Sequence, residues 1–183
     1  MKTTRRVKRN YVNNPDLLAA LIEYKKKCKE AEDSGDEPPR VPNYIGECIF
    51  QIGKRLATKP NFSGYSYKED MISDGIENCL QYIHNFDPEK SSNPFAYFTQ
   101  IIWYAFLRRI QKEKKQMYIR FKSSQSLLSM GGTYDSGNED ITVHLNTSAD
   151  YMNSFIKDFE VKLDKNKVKK TEDTTETNDS LND

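Results

Sequence analysis

Asp70, Ser73, Asp74 and Glu77 recur at steps of three and four, so on a helix they share one face and present carboxylates beside a hydroxyl. Such a row suits charge-complementary binding of a basic partner, and a plain solvated face is its competing reading. A second set starts at Tyr97. Gln100, Tyr104 and Arg108 follow at steps of four, with Tyr97 bordering their strip at a step of three. An aromatic ring can stack an unpaired base and an amide can hydrogen-bond a base edge, while Arg108, Arg109, Lys112 and Lys115 would hold phosphates without reading sequence. Trp103 is a further ring on the same stretch. The competing reading of Tyr97 is a half-buried core tyrosine with its hydroxyl satisfied.

Both sets need helices whose other faces are buried. Met71, Ile72, Ile76, Cys79, Leu80 and Ile83 supply the apolar positions for the acidic row, with Glu69, Asp70 and Asp74 at the helix start and Phe86 just past its end. Asn93-Pro94 opens the next helix as an N-cap followed by proline, and Phe95, Phe98, Ile102, Ala105, Phe106 and Ile110 form its apolar face. Two helices precede these. Asn14-Pro15 opens the first, which carries Leu17, Leu18, Leu21, Ile22 and Cys28 and ends before Ser34-Gly35. Ile45, Cys48, Ile49, Ile52 and Leu56 mark the second, with Lys54 and Arg55 near its end, and Pro60 to Gly64 stop it. Four helical patterns and no early strand predict an all-α fold, a compact helical bundle.

With 183 residues, 36% hydrophobic and 30% charged, the chain has room for one modest core plus extensions. Its net charge of +1 conceals segregation of sign. Lys2, Arg5, Arg6, Lys8 and Arg9 fall in residues 1–10 with no acid, a flexible arm that either stays solvated or seeks phosphate. The helical domain spans 11–122, with a Pro- and acid-rich internal loop at 31–43. Arg108 to Lys122 is strongly basic, Glu113 being its one acid, and Tyr118 and Phe121 interleave the charges, which suits stacking with phosphate contact. A Ser- and Gly-rich connector is expected over 123–150, a short helix over 151–165, and a disordered, finally acidic tail over 166–183.

Catalysis finds little purchase in these residues. Cys28, Cys48 and Cys79 are odd in number and far apart, giving no disulfide framework or zinc spacing. His84 and His144 stand apart, and no phosphate-binding glycine loop or nucleophile elbow occurs. The reading is therefore not an enzyme, with no metal and no cofactor. No apolar run of about 18 residues and no signal-type leader are present, which excludes a membrane span or secretion as expectations.

DMISDGIENCLQYIHNFD, Asp70 to Asp87, resembles the second conserved region of bacterial sigma factors, and the match continues without a gap through Asn93 to Ile110. YVNN at Tyr11 to Asn14, NFSGY at Asn61 to Tyr65, DGIE at Asp74 to Glu77, HNFD at His84 to Asp87 and NPFAY at Asn93 to Tyr97 bring it nearest to the late-transcription sigma factors of T-even-type bacteriophages. The likeness covers roughly Tyr11 to Lys122. It implies a promoter-specificity subunit in the cytoplasm of an infected bacterial host, acting with host core RNA polymerase and promoter DNA. It further implies that Asp70, Ser73, Asp74 and Leu80 grip the clamp helices of the polymerase large subunit. Tyr97, Thr99, Ile102, Ala105 and Arg108 fall on the family's helix that melts and reads a minus-ten element, with Tyr97 at the melting position. The sequence departs from the family where tandem tryptophans stand beside that tyrosine. Gln100 and Ile101 replace them, and the single tryptophan is Trp103.

The likeness also implies a late-transcription coactivator and a sliding clamp as partners. The chain ends TNDSLND, with Leu181 the one apolar side chain in its final stretch, so clamp contact is not expected at the extreme terminus. Phe155, Ile156 and Phe159 offer one apolar face for such a contact, or for packing back on the protein. Two other functions compete: an adaptor that binds polymerase without reading DNA, and a free-standing helical nucleic-acid-binding protein.

Overall fold

A computed structural model describes residues 11–129 and 149–165. The chain divides into two compact units, one through Gln111 and one from Lys112. The fold is all-α, with no strand among the described residues. The basic arm at 1–10, most of the expected connector and the tail at 166–183 lie outside the described residues.

In the first unit, α1 (Asn14–Ser34) carries Pro15 in its first turn and ends at Gly35. There φ is +73°, a left-handed conformation that costs glycine little and lets backbone N–H groups cap Ala31 and Glu32. The helix buries Leu17, Leu21 and Tyr24, and the Tyr24 hydroxyl donates to the Pro39 carbonyl at 3.3 Å, pinning the loop that follows. α2 (Asn43–Ala57) buries Ile45, Cys48, Ile49, Ile52 and Leu56, the stripe its spacing predicts. The stretch expected only to stop α2 forms a helical turn of its own, α3 (Pro60–Ser63), which sinks Phe62 into the core.

α4 (Lys68–Tyr82) continues into a 3-10 turn at Ile83–Asn85. Its buried line is Met71, Gly75 and Cys79, continued by Ile83, while Ile72 and Ile76 are half-buried flanks. Leu80, expected on this stripe, is 40% exposed. The line is centred on glycine because α5 (Pro94–Ser129) crosses there. A Cβ on Gly75 would lie 3.0 Å from Ile102 Cγ2 and 3.3 Å from Phe106 Cε1. Hydropathy gives glycine no weight as a core residue, so the periodic pattern was drawn toward Leu80.

Asn93 caps α5 as its sequence suggests, its Oδ1 accepting from the Ala96 N–H at 3.1 Å. Asn14 does not cap its own helix. Its Oδ1 accepts from the Phe95 N–H at 3.0 Å and its Nδ2 donates to the Ser92 carbonyl at 3.3 Å, so a residue of α1 completes the start of α5. Asn14→Ala should therefore cost about 1–2 kcal/mol, the range of a lost cap. Asn14→Asp, which keeps the acceptor, should recover most of that in urea denaturation.

α5 runs past the expected domain end. Residues 123–129, read as connector, are helical. The second unit accounts for this, because there the end of α5 packs on a further helix, α6, over residues 149–165. Tyr118 stacks on Phe159 at 4.6 Å, Phe121 meets Phe155 edge-on at 5.4 Å, and Gln125 donates to Asn153 Oδ1 at 2.9 Å. Lys122 and the Tyr118 hydroxyl both donate to Glu160 Oε1 and hold its carboxyl below the usual range. Serine-rich composition reads as loop, yet these partners supply the packing that sustains a helix. Tyr118 and Phe121 are thus engaged within the protein, as are Phe155 and Phe159, while Ile156 is buried.

Candidate functional site

α4 and α5 run in opposite directions within the first unit. Cys79 faces the start of α5 through the Phe98 carbonyl, Gly75 meets Ile102 and Phe106, and Asp74 and Asp70 reach Arg109. This register fixes where each candidate side chain points.

Of the acidic row, Ser73 and Glu77 are exposed and Leu80 joins them as an exposed apolar group. Asp70 and Asp74 are already paired. Arg109 Nη2 lies 2.9 Å from Asp70 Oδ2 and Nη1 lies 3.3 Å from Asp74 Oδ2, with the guanidinium side chain only 18% exposed. Arg109, expected to hold phosphate, is instead engaged as a strut between α4 and α5. A pair separated by 35 or more positions depends on the antiparallel register, which helical spacing alone does not give. Asn78, which the sequence reading passed over, extends the same seam. Its Oδ1 accepts from Arg108 Nη2 at 2.8 Å and its Nδ2 donates to the Asp74 carbonyl at 2.6 Å.

Tyr97 turns inward. Its hydroxyl donates to the Tyr82 carbonyl at 2.7 Å and its ring packs on Phe86 at 5.2 Å and Phe98 at 5.3 Å. Burial, with a smaller contribution from Cys79, raises the pKa of its hydroxyl. This is the competing geometry foreseen for Tyr97, a half-buried tyrosine with its hydroxyl satisfied, and it corrects the placement of Tyr97 on an open ridge. Trp103 is also half-buried, meeting Phe62 edge-on at 4.8 Å.

Gln100, Tyr104 and Arg108 remain outward, and Tyr104 is 51% exposed. They form a line one residue wide: amide, phenol, guanidinium. Leu107, absent from the sequence reading, is exposed beside it. Lys112 and Lys115 are exposed as well, but they belong to the second unit and are considered apart.

Cys48 and Cys79 are buried, and burial pushes the Cys79 thiol up to about 12, so it stays protonated at neutral pH. Among the described residues no His, Cys, Asp or Glu cluster is arranged to hold a metal ion, and no helix is long and apolar enough to cross a membrane. Compared with protein-family models and with curated proteins, the chain matches none.

Proposed function

We propose that this chain is a minimal sigma-type specificity subunit, which binds host core RNA polymerase in an infected bacterial cell and helps open an A·T-rich, minus-ten-like promoter element. The linked motifs from Tyr11 to Tyr97 suggest the class. The observation that carries the DNA role is the outward line of Gln100, Tyr104 and Arg108 on a helix that buries Phe98, Ile102, Ala105 and Phe106 on its other side. Here Tyr104 takes the stacking role first given to Tyr97, Gln100 meets a base edge, and Arg108 meets phosphate. Lys112 and Lys115, in the second unit, are by themselves exposed cations suited to phosphate. Ser73 and Leu80 are the exposed polymerase contacts on α4, and Asp70, still 57% exposed, can share its carboxylate with a partner cation.

Mixing the chain with core polymerase and a duplex library, then mapping unpaired thymines with permanganate, tests the reading. Sequence-selective opening is the expected result. Tyr104→Ala should reduce opening of a duplex promoter roughly 5- to 150-fold, the loss of one stacking surface worth about 1–3 kcal/mol. It should spare transcription from a template already unpaired in a bubble. Wild-type opening by Tyr104→Ala would remove the stacking role. A second reading, the polymerase-binding adaptor, is favoured by the inward Tyr97 and the engaged Arg109. Binding to polymerase without opening of any duplex would establish it in place of the first.

A further inference from the structure

α4 holds two neighbouring arginines of α5 in different ways. Arg109 lies against the carboxylates of Asp70 and Asp74 and is 18% exposed. Arg108 is exposed and lies against an amide, its Nη2 donating to Asn78 Oδ1 at 2.8 Å. Asn78 is half-buried, and its own Nδ2 donates to the Asp74 carbonyl at 2.6 Å, four positions back on the same helix.

The bond to Asp74 fixes which way the amide faces. Turned over, the amide would set its oxygen against a carbonyl and its nitrogen against a guanidinium, two contacts between like groups. The oxygen is therefore held toward Arg108. A free arginine side chain samples many rotamers and loses them when it binds. Held at one nitrogen, Arg108 has given up part of that freedom in advance, and its remaining N–H groups stay available to a ligand.

The neutrality of the partner matters as much as its position. A carboxylate in place of the amide would hold the guanidinium while cancelling the charge that a phosphate answers, which is the state of Arg109. An amide orders the side chain and leaves its charge in place.

We infer that Asn78 is the positioning residue of Arg108, presenting the guanidinium, ordered and still cationic, to one backbone phosphate of the promoter duplex. The inference rests on the phosphate role proposed for Arg108 and adds to it a residue of α4, a helix otherwise assigned to polymerase.

The test uses the full chain bound to core polymerase, titrated by anisotropy against a fluorescein-labelled alternating dA·dT duplex across a salt series, with core polymerase alone as baseline. Arg108→Ala should weaken binding roughly 10- to 150-fold and flatten the log–log salt slope by about 0.9, one duplex phosphate's worth. Asn78→Ala should weaken binding roughly 2- to 12-fold with the slope unchanged, because the charge remains and only its ordering is lost. In the Arg108→Ala background the same change should cost nothing further, an outcome that a purely structural role of Asn78 would not give. Asn78→Asp keeps the contact with Arg108 and so serves even if the alanine variant folds poorly. Its slope should fall by about 0.9, as in Arg108→Ala, although the arginine is still present. A parent-like Asn78→Ala beside a weakened Arg108→Ala overturns this inference alone. So does an Asn78→Ala cost that adds in full to that of Arg108→Ala, or a parent-like slope in Asn78→Asp. A parent-like Arg108→Ala removes the phosphate role from the proposed function and this inference with it.

Discussion

Gly75→Val is expected to destabilise the first unit by about 3 kcal/mol, the upper end of the cost of overpacking a filled core. The atoms in the way cannot yield cheaply. A Cβ would press on Ile102 Cγ2 at 3.0 Å, a branch close to the α5 backbone, and on Phe106 Cε1 at 3.3 Å. Both side chains are fully buried, and Phe106 is held edge-on by Phe62 at 5.1 Å. Valine adds two further carbons to that first clash. Gly75→Ala sets the same crowding against a gain of up to about 1 kcal/mol in helix propensity, so it should fall near neutral. Urea midpoints with unchanged m-values would measure both. A valine variant as stable as the parent would mean that α4 and α5 do not cross at Gly75.

The second large effect concerns Arg109. Reversing Asp70 and Asp74 together to lysine should destabilise the unit by about 2–4 kcal/mol, because a guanidinium that is 18% exposed then faces two ammonium groups. The contributions are unequal. Asp70 is 57% exposed and solvent screens its pair to under about 1 kcal/mol, whereas Asp74, 34% exposed, carries more. Helical spacing alone puts these two carboxylates on a surface face, where their reversal is expected to leave the fold intact and weaken only polymerase binding. Their pairing makes that double variant a poor probe of function. Ser73→Arg and Leu80→Glu are the better ones, since both positions are exposed, and neither should shift the melting temperature by more than about 2–4 °C. If the Asp70/Asp74 reversal kept full stability, the strut would be dispensable and the double variant would be a sound probe of polymerase binding.

Periodicity made the large side chains and the thiol of the α2 stripe legible, because its apolar spacing has one solution, while the buried Gly53 and Ala57 went unread. It also located the start of α5, where Asn93 and Pro94 act on bonds within one turn. It misjudged α4 by part of a turn, since the contact that matters is made by a residue with no side chain. Tyr97 and Arg109 were misread for a related reason. Their polarity suggests solvent, but the Tyr82 carbonyl and the carboxylates of Asp70 and Asp74 satisfy them across a helix pair. Such partners are set by the register between helices, which the spacing within either one leaves open. Residues 123–129 failed in the opposite sense, having weak local preference for helix but partners on α6 nearby.

The bonds from Asn14 to Ser92 and Phe95 span 78 and 81 positions, and this separation bears on how the protein is made. A ribosome releases α1 early, with its internal hydrogen bonds available at once. The backbone groups that Asn14 must meet emerge only after α2, α3 and α4 have followed. The loop closed by these bonds takes in nearly the whole first unit, a long-range contact of the kind that slows folding and comes late in it. A nascent chain halted before Ser92 therefore holds α1 with no counterpart for Asn14. Such truncated products lack the bonds that tie α1 to the start of α5, and incompletely packed species of this kind are the ones that chaperones and proteases engage.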